Sequence, residues 1–261
     1  MRVEFSKYQG TGNDFVLIDN RNNIIDPDNF ILIEQLCDRR FGVGGDGLML
    51  LDNAPGFDFR MRYYNSDGKE GSMCGNGGRC IVAFAYHLGL ISETATFIAV
   101  DGEHEAKIIK TENGIQVSLK MIDVSDIELG EDFYFLNTGS PHFVRFIPKH
   151  ENFDTFTEGQ KIRYNNRFAE EGTNVNFVSF QDQDITVSTY ERGVEDETYS
   201  CGTGVVASAI SASFKTNNNQ FKIKTKGGHL EVHFKKTNSK QIEDIWLTGP
   251  ATHVFNGTLK I

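Results

Sequence analysis

The sequence predicts an α+β fold of two similar halves, each a β-rich sheet or barrel wrapped around a central buried helix. Strand-like segments separated by glycine turns dominate the chain. Two stretches differ, "GGRCIVAFAYHLG" and "GTGVVASAISASF", because they are apolar or small on nearly every side. A helix without a polar face must be buried. Each stretch therefore suits a helix at the centre of a curled sheet.

The predicted strands follow from local patterns. "VEFSKYQ" and "DFVLID" flank a Gly-Thr-Gly-Asn turn, and "FDFRMRYY" alternates apolar and polar residues up to the turn sequence "NSDG". Alternation with a period of two is typical of a half-buried strand. The apolar face of that strand is predicted to carry Phe57, Phe59, Met61 and Tyr63. Hairpin turns are predicted at Asp101-Gly102 and Asn113-Gly114.

A third helix is predicted near the N-terminus. Asp28 is a candidate N-cap, and the amphipathic pattern after it runs to about Arg39. For the first apolar helix, Gly89 is the predicted residue just past the C-terminus, since glycine accepts the left-handed conformation there.

An internal repeat predicts the two halves. Cys74 and Cys201 are 127 residues apart, and the spacing recurs between Arg40-Phe41 and Arg167-Phe168. The pairs Asp14/His142 and Tyr64/Tyr190 fall within one residue of it. A repeat of this kind indicates duplication. The predicted N-terminal half is 1–122 and the C-terminal half 123–249. A strand at about 250–261 is expected to return to the first half, because chain termini often lie close together.

Composition restricts the functional classes. The chain has 261 residues and a formal net charge of -10. Such a charge is repelled by nucleic acid and by anionic lipid, so neither is expected as a partner. The N-terminal residues have no apolar signal-peptide region, and no apolar run approaches the roughly 20 residues of a membrane span. A cytoplasmic protein with reduced thiols is predicted.

The four cysteines divide into two kinds. Cys37 and Cys80 lie within apolar helical patterns and are predicted to be buried core residues. Cys74 and Cys201 each precede Gly-x-Gly at the start of an apolar helix. Open N–H groups and a partial positive charge at such a terminus lower the pKa of a thiol below its usual value of about 8.5. No common zinc spacing is present, so a metal site is not expected.

A matched pair of thiols suits one reaction in particular. If the halves are related by pseudo-two-fold symmetry, one thiolate can remove a proton from a carbon next to a carboxylate. The other thiol then delivers a proton to the opposite face, while the helix N-termini stabilise the developing enolate-like charge.

Longer motifs resemble the diaminopimelate epimerase family. They are "GTGNDFVLID", "RRFGVGGDG", "YNSDGKEGSMCGNGGRC", "GSPHFV", "EGTNVNFV" and "YERGVEDETYSCGTG". The resemblance implies two pseudo-symmetric α+β domains. It also implies conversion of L,L-diaminopimelate to the meso isomer for lysine and peptidoglycan precursor biosynthesis, without a cofactor. A homodimer is suggested by the resemblance only.

Carried over residue by residue, the resemblance implies these roles. Cys74 and Cys201 are the acid/base pair, and His142 and Glu191 tune the thiols. The reacting carboxylate is held by Gly75, Asn76, Gly202 and Thr203. The far end and the amino groups of the substrate are held by Asn13, Asn65, Asn174, Glu191 and Arg192. Two positions depart from the family: Ser140 stands where many members have Asn, and Gly47 where some have Gln. Both departures shorten the polar reach toward the substrate.

Three alternatives remain open at this point. A proline-racemase-like enzyme also uses two thiols, although it does not need the Glu191-Arg192 pair for a distal amino acid. A non-enzymatic amino-acid-binding protein would not need both thiols. A redox protein would use a reversible Cys74–Cys201 disulfide as its functional event.

Overall fold

The computed structural model describes residues 2–112, 114–182, 184–238 and 240–260. Its elements follow in chain order. They are β1 (Arg2–Gly10), β2 (Asn13–Asp19), α1 (Phe30–Cys37), β3 (Gly47–Asp52), β4 (Phe59–Asn65), α2 (Gly75–His87), β5 (Thr94–Ala99), β6 (Gly102–Thr111), β7 (Gly114–Lys120), β8 (Ile127–Leu129), β9 (Phe133–Asn137), β10 (Pro141–Phe146), α3 (Thr155–Arg163), β11 (Asn174–Gln181), β12 (Asp184–Glu191), β13 (Asp196–Thr198), α4 (Gly202–Thr216), β14 (Gln220–Thr225), β15 (Gly228–Lys236), β16 (Ile242–Pro250) and β17 (Thr252–Lys260).

The chain divides into two compact units. Unit 1 contains 1–119 together with 249–261, and unit 2 contains 120–248. In unit 1, β17 is antiparallel to β1. The ladder then continues from β1 to β7, with parallel pairing between β2 and β3 and between β4 and β5, and antiparallel pairing elsewhere. The parallel steps are made by crossovers through α1 and α2.

Unit 2 repeats this order of pairings. Strands β9 and β10 are antiparallel, β10 and β11 parallel, and β11 and β12 antiparallel. The next parallel step joins β12 to β14, and antiparallel pairs lead on to β15 and β16. The parallel crossovers pass through α3 and α4. The α+β class predicted from the sequence is confirmed.

The two apolar helices are buried as predicted. Both α2 and α4 are buried over most of their length, and Ile81 and Val206 are fully inaccessible. Leu88 is the C-cap of α2, and Gly89 follows with φ of 71°, which confirms its predicted place after the helix. At the end of α4, Asn217 takes the left-handed conformation with φ of 61°.

Both faces of the central strands of unit 1 are covered. Val16, Ile18, Leu48 and Leu50 form one core cluster with residues of α1, including Ile33. The alternate side chains of β2 and β3 are buried as well, and Met49 lies against Gly77 of α2. Burial on both faces explains why these two strands are apolar at almost every position.

The first helix differs from its prediction at both ends. Its N-cap is Asn29, whose side chain accepts a hydrogen bond from the backbone of Leu32, so Asp28 is not the cap. Asp28 instead belongs to the preceding turn, where its carbonyl accepts from Phe30. The helix ends at Cys37 because Asp38 is extended, with ψ of 128°.

The predicted apolar face of β4 is only partly correct. Phe57 lies before the strand, and Phe59 and Met61 are buried as expected. Beyond them the fully buried side chain is that of Tyr64 instead of Tyr63, so the strict alternation fails at the strand end.

The hairpin predictions have separate outcomes. The two-residue turn between β1 and β2 has positive φ at Thr11 and Gly12, as a type I′ turn requires. Gly102 also has positive φ at the turn between β5 and β6. The remaining predicted turn involves Asn113, which lies outside the described residues.

No helix in the described ranges is long and apolar enough to cross a membrane.

Candidate active site

Each unit presents one cysteine at the N-terminus of its buried helix. Cys74 is the N-cap of α2 and Cys201 is the N-cap of α4, both with extended backbones. Neither side chain makes a capping hydrogen bond to its helix. The first-turn N–H groups, which begin at Gly75 and Gly202, therefore are not capped by these thiols.

In unit 1, Asn13 and Asn76 lie beside Cys74. The Cys74 thiol donates to Oδ1 of Asn13 over 3.8 Å, and Nδ2 of Asn76 donates to the same oxygen over 3.4 Å. The amide of Asn13 is held in this orientation because its Nδ2 donates to Asp46 over 2.6 Å. The structure thus joins three of the predicted site residues.

A buried cation supports this part of the site. Arg79 is fully inaccessible, and its guanidinium donates to the carbonyls of Gly75 and Pro250 and to Thr11 and Asn76 over 3.0–3.3 Å. Burial lowers the pKa of Arg79. These bonds connect the start of α2 to the β1–β2 turn, so Arg79 positions Asn76.

In unit 2, Cys201 belongs to a chain of polar contacts. Sγ of Cys201 lies 3.5 Å from Oγ1 of Thr203, and that oxygen lies 2.9 Å from Nε2 of His142. His142 is fully buried at the start of β10. Burial lowers its pKa to about 3, and the charge of Arg192 acts in the same direction. The imidazole is therefore neutral at pH 7.

Asn176 is a site residue that the sequence analysis missed. Its Nδ2 lies 3.0 Å from Nδ1 of His142, and its Oδ1 accepts from Thr189 over 2.9 Å. A usable signal was present: Asn174 and Asn176 are two residues apart on one face of strand β11, among the apolar residues Val175, Phe177 and Val178. Buried polar residues in such a strand need specific partners.

The ends of β11 and β12 bring together Asn174 and Arg192. The backbone N–H of Arg192 donates to Oδ1 of Asn174 over 2.9 Å, and Nδ2 of Asn174 donates to Ser140 over 2.9 Å. The guanidinium of Arg192 is exposed and donates to the carbonyl of Glu171. The carboxylate of Glu191 accepts from Thr198 over 2.8 Å.

Asn65 and Gly47 lie opposite each other in the β3–β4 ladder. Asn65 is exposed, and its carbonyl closes the turn by accepting from Gly68. A Cβ at position 47 would lie 2.6 Å from the Tyr63 ring and 2.5 Å from the Tyr64 carbonyl. The Tyr63 ring therefore occupies the place of a side chain at position 47, which explains glycine there.

The other two cysteines are confirmed as core residues. Cys37 and Cys80 are buried, and burial raises the pKa of each to about 12. Neither thiol ionises near neutral pH. Over the ranges that the structure describes, no group of three His, Cys, Asp or Glu side chains is placed to hold a metal ion.

The sequence of this chain matches a known protein family over most of its length. The family model described as diaminopimelate epimerase matches residues 5–123 and 134–254. A diaminopimelate epimerase of Flavobacterium psychrophilum is 52% identical, over 98% of this chain and 100% of that protein. One from Aquifex aeolicus is 38% identical, over 98% of each chain.

Solved structures with low sequence identity share the fold. A phenazine biosynthesis protein of the PhzF family from Bacillus anthracis has a TM-score of 0.77 at 13% identity, covering 100% of both chains. A hydroxyproline epimerase from Agrobacterium vitis has a TM-score of 0.68 at 11% identity, covering 99% of this chain and 92% of that one. The resemblance inferred from the motifs is confirmed by the sequence matches, and the chain belongs to the diaminopimelate epimerase family.

Proposed function

We propose that this protein epimerises L,L-diaminopimelate to meso-diaminopimelate in lysine and peptidoglycan precursor biosynthesis, with Cys74 and Cys201 as the acid/base pair. One observation carries the assignment of the pair: each buried helix begins at a cysteine whose side chain does not cap it. Matched thiols at helix N-termini suit proton transfer at a carbon next to a carboxylate.

In this mechanism the cysteine that acts as the base in one direction of the reaction acts as the acid in the reverse direction. One thiolate takes the α-proton, and the electron pair left on the carbon delocalises into the carboxylate. The other thiol then gives its proton to the opposite face, which inverts the carbon. Backbone N–H groups of Gly75, Asn76, Gly202 and Thr203 hold the carboxylate and stabilise its added charge. This route needs no bound cofactor.

The remaining site residues recognise the rest of the substrate. We assign the distal carboxylate to the Arg192 guanidinium, since a planar fork can bind two carboxylate oxygens at once. Glu191 binds an ammonium group, and Asn13, Asn65 and Asn174 provide neutral hydrogen bonds. His142 and Glu191 tune the thiols. The contacts between Asn13 and Cys74 and between Asn174 and Arg192 support these assignments.

The decisive experiment removes one thiol at a time. Cys74→Ala and Cys201→Ala should each abolish formation of the meso isomer, while Cys37→Ala, a buried cysteine outside the site, should retain activity. Circular dichroism and urea unfolding check that each variant folds. Substantial epimerisation by either Cys74→Ala or Cys201→Ala excludes the two-base mechanism.

Two further measurements separate the alternatives. A binding protein without catalysis gives no deuterium at the α-carbon in heavy water, whereas the epimerase incorporates it from solvent. A proline-racemase-like enzyme would act on proline in preference to L,L-diaminopimelate. Both substrates are therefore compared at equal enzyme concentration.

A homodimer in the cytoplasm is the proposed assembly and location. Strand β17 pairs with β1, and its Val254 and Phe255 side chains are 53% and 44% exposed. Exposed apolar side chains on a strand can be covered by a second subunit. Light scattering should give twice the chain mass for the wild type and the chain mass for Phe255→Asp. A monomeric wild type excludes the dimer, and cell fractionation tests the location.

A further inference from the structure

The amide of Asn176 has a fixed orientation. Its Oδ1 accepts from the Thr189 hydroxyl over 2.9 Å, and its Nδ2 donates to the Phe143 carbonyl over 3.2 Å. The atom that faces Nδ1 of His142 at 3.0 Å is therefore the amide nitrogen. An amide N–H is a donor only, so Nδ1 of His142 must be the acceptor.

This contact determines the tautomer of His142. A neutral imidazole has one N–H, and with Nδ1 accepting, the proton is on Nε2. Nε2 then donates to Oγ1 of Thr203 over 2.9 Å. A hydroxyl that accepts one hydrogen bond becomes a better donor in the next. The Thr203 proton is thus available to Sγ of Cys201, 3.5 Å away.

We propose that Asn176 is a positioning residue that fixes the proton of His142 on Nε2, so that the His142–Thr203 relay ends in a hydroxyl donor to the Cys201 thiolate. This inference rests on the acid/base role proposed above for Cys201. It adds Asn176 to the site and assigns a side-chain role to Thr203 besides that of its backbone.

Unit 1 has apolar residues at the two positions that correspond to His142 and Asn176 of unit 2. Residues 127 positions earlier than His142 and Asn176 are Phe15 and Met49. The parallel ladders place them alike, since Phe15 pairs with Gly47 and His142 with Asn174.

Gly77 in the first turn of α2 and Gly204 in the first turn of α4 each lie against a side chain from the equivalent position of the neighbouring strand. A Cβ on Gly77 would lie 2.7 Å from Met49, and a Cβ on Gly204 would overlap Oδ1 of Asn176. Met49 and Asn176 therefore occupy corresponding places in the two units. The relay is a property of unit 2, and the Cys74 thiol serves as an internal reference in the same molecule.

The charged groups near His142 do not change the direction in which its hydrogen bonds run. Burial and the charge of Arg192, which directly follows β12, both lower the pKa of His142 and so favour the neutral ring. Glu191 is the last residue of β12 and accepts from Thr198 of β13. Both groups are present in every variant below, so their contributions cancel in the comparison.

The test measures the thiolate fraction of each cysteine without substrate. Wild-type protein is alkylated with iodoacetamide from pH 5 to pH 10, and peptide mass spectrometry gives separate rates for Cys74 and Cys201. The midpoint of each pH profile reports ionisation, whatever the accessibility of the sulfur. Thr203→Val removes the hydroxyl at constant shape, and Thr203→Ser keeps it as the matched control. Asn176→Met introduces the residue that unit 1 has at this place.

The relay predicts a specific pattern of shifts. Thr203→Val should raise the Cys201 midpoint by about one pH unit, the effect of one hydrogen bond to a charged acceptor. Thr203→Ser should leave it within about 0.3 units, and Asn176→Met should raise it by at least about 0.5 units. The Cys74 midpoint should not move. Equal shifts of both thiols, or none in Thr203→Val, overturn the proposal.

A measurement on the wild type does not depend on the folding of variants. Long-range ¹⁵N–¹H spectra of the histidine rings distinguish the two neutral tautomers, and loss of a signal in His142→Phe assigns the ring. The proposal requires the Nε2–H form of His142, and the Nδ1–H form refutes it. Neither this result nor the alkylation profile depends on catalysis, so each stays interpretable if Cys201→Ala proves active.

Discussion

The backbone N–H of Arg192 donates a hydrogen bond to the side-chain Oδ1 of Asn174 over 2.9 Å. Because this bond does not involve the guanidinium, a substitution of the Arg192 side chain leaves it in place. The amide of Asn174 also donates to Ser140 over 2.9 Å. The strand ends therefore hold their positions while the guanidinium is tested separately.

Arg192→Lys is expected to lower kcat/KM for L,L-diaminopimelate by at least roughly tenfold, and Arg192→Ala by more. Lysine cannot reproduce the two-point bond to a carboxylate, which is worth about 1.5–3 kcal/mol, and each 1.4 kcal/mol is about tenfold. Steady-state kinetics measure the loss. Arg167→Lys, an exposed arginine paired with Glu128, is the matched control. Near-normal kcat/KM in Arg192→Ala would show that this arginine does not bind the substrate.

Oxidation should inactivate the substrate-free enzyme reversibly. The proposed mechanism requires both thiols to reach one α-carbon and therefore to come close enough for a disulfide, so diamide should take two electrons and two protons from Cys74 and Cys201. Cys37 and Cys80 should stay unmodified, because burial raises the pKa of each to about 12. Mass spectrometry identifies the bridge, and a reductant restores activity. Full activity after diamide treatment would argue against this proximity.

Asp14 should stabilise the fold in a pH-dependent way. Burial alone would raise its pKa, but hydrogen bonds from Arg39 and Lys7 outweigh burial and hold the pKa at about 2. Because the folded value is below the unfolded one, the stabilisation is complete above about pH 5 and disappears as the pH falls toward 2.

Asp14→Asn is therefore expected to lower the free energy of unfolding by about 2 kcal/mol at pH 7. The difference from the wild type should shrink steadily as the pH falls from about 5 to about 2. Urea unfolding at several pH values measures it, with Asp67→Asn, at an exposed turn, as the comparison. A difference independent of pH would mean that the ion pair does not cause it.

Arg79 should be required for the stability of unit 1. Its guanidinium is fully buried and donates to four neutral acceptors, so Arg79→Met removes one donor from each of those oxygens. A loss of about 2–4 kcal/mol is expected in urea unfolding, with a smaller loss for Arg79→Lys. Arg60→Met, at an exposed arginine of β4, should change stability by less than about 0.5 kcal/mol. Equal effects at positions 79 and 60 would contradict this role.

The sequence by itself determined the features that depend on local chemistry. An all-round apolar pattern identified the buried helices α2 and α4, because a helix without a polar face has one stable environment. The Cys-Gly-x-Gly boundary identified their N-termini, and the turn before Asn13 followed from glycine. The repeat across 127 residues then predicted one thiol for each half.

Only the tertiary structure decided which side chains meet. Asn29 instead of Asp28 caps α1, and Tyr64 instead of Tyr63 is buried at the end of β4, because the neighbouring segments determine which group is covered. The contact of Asn176 with His142 joins residues 34 positions apart on paired strands, and no local pattern encodes it. Strand register and side-chain packing place those two groups together, whereas sequence periodicity identifies only the face on which each residue lies.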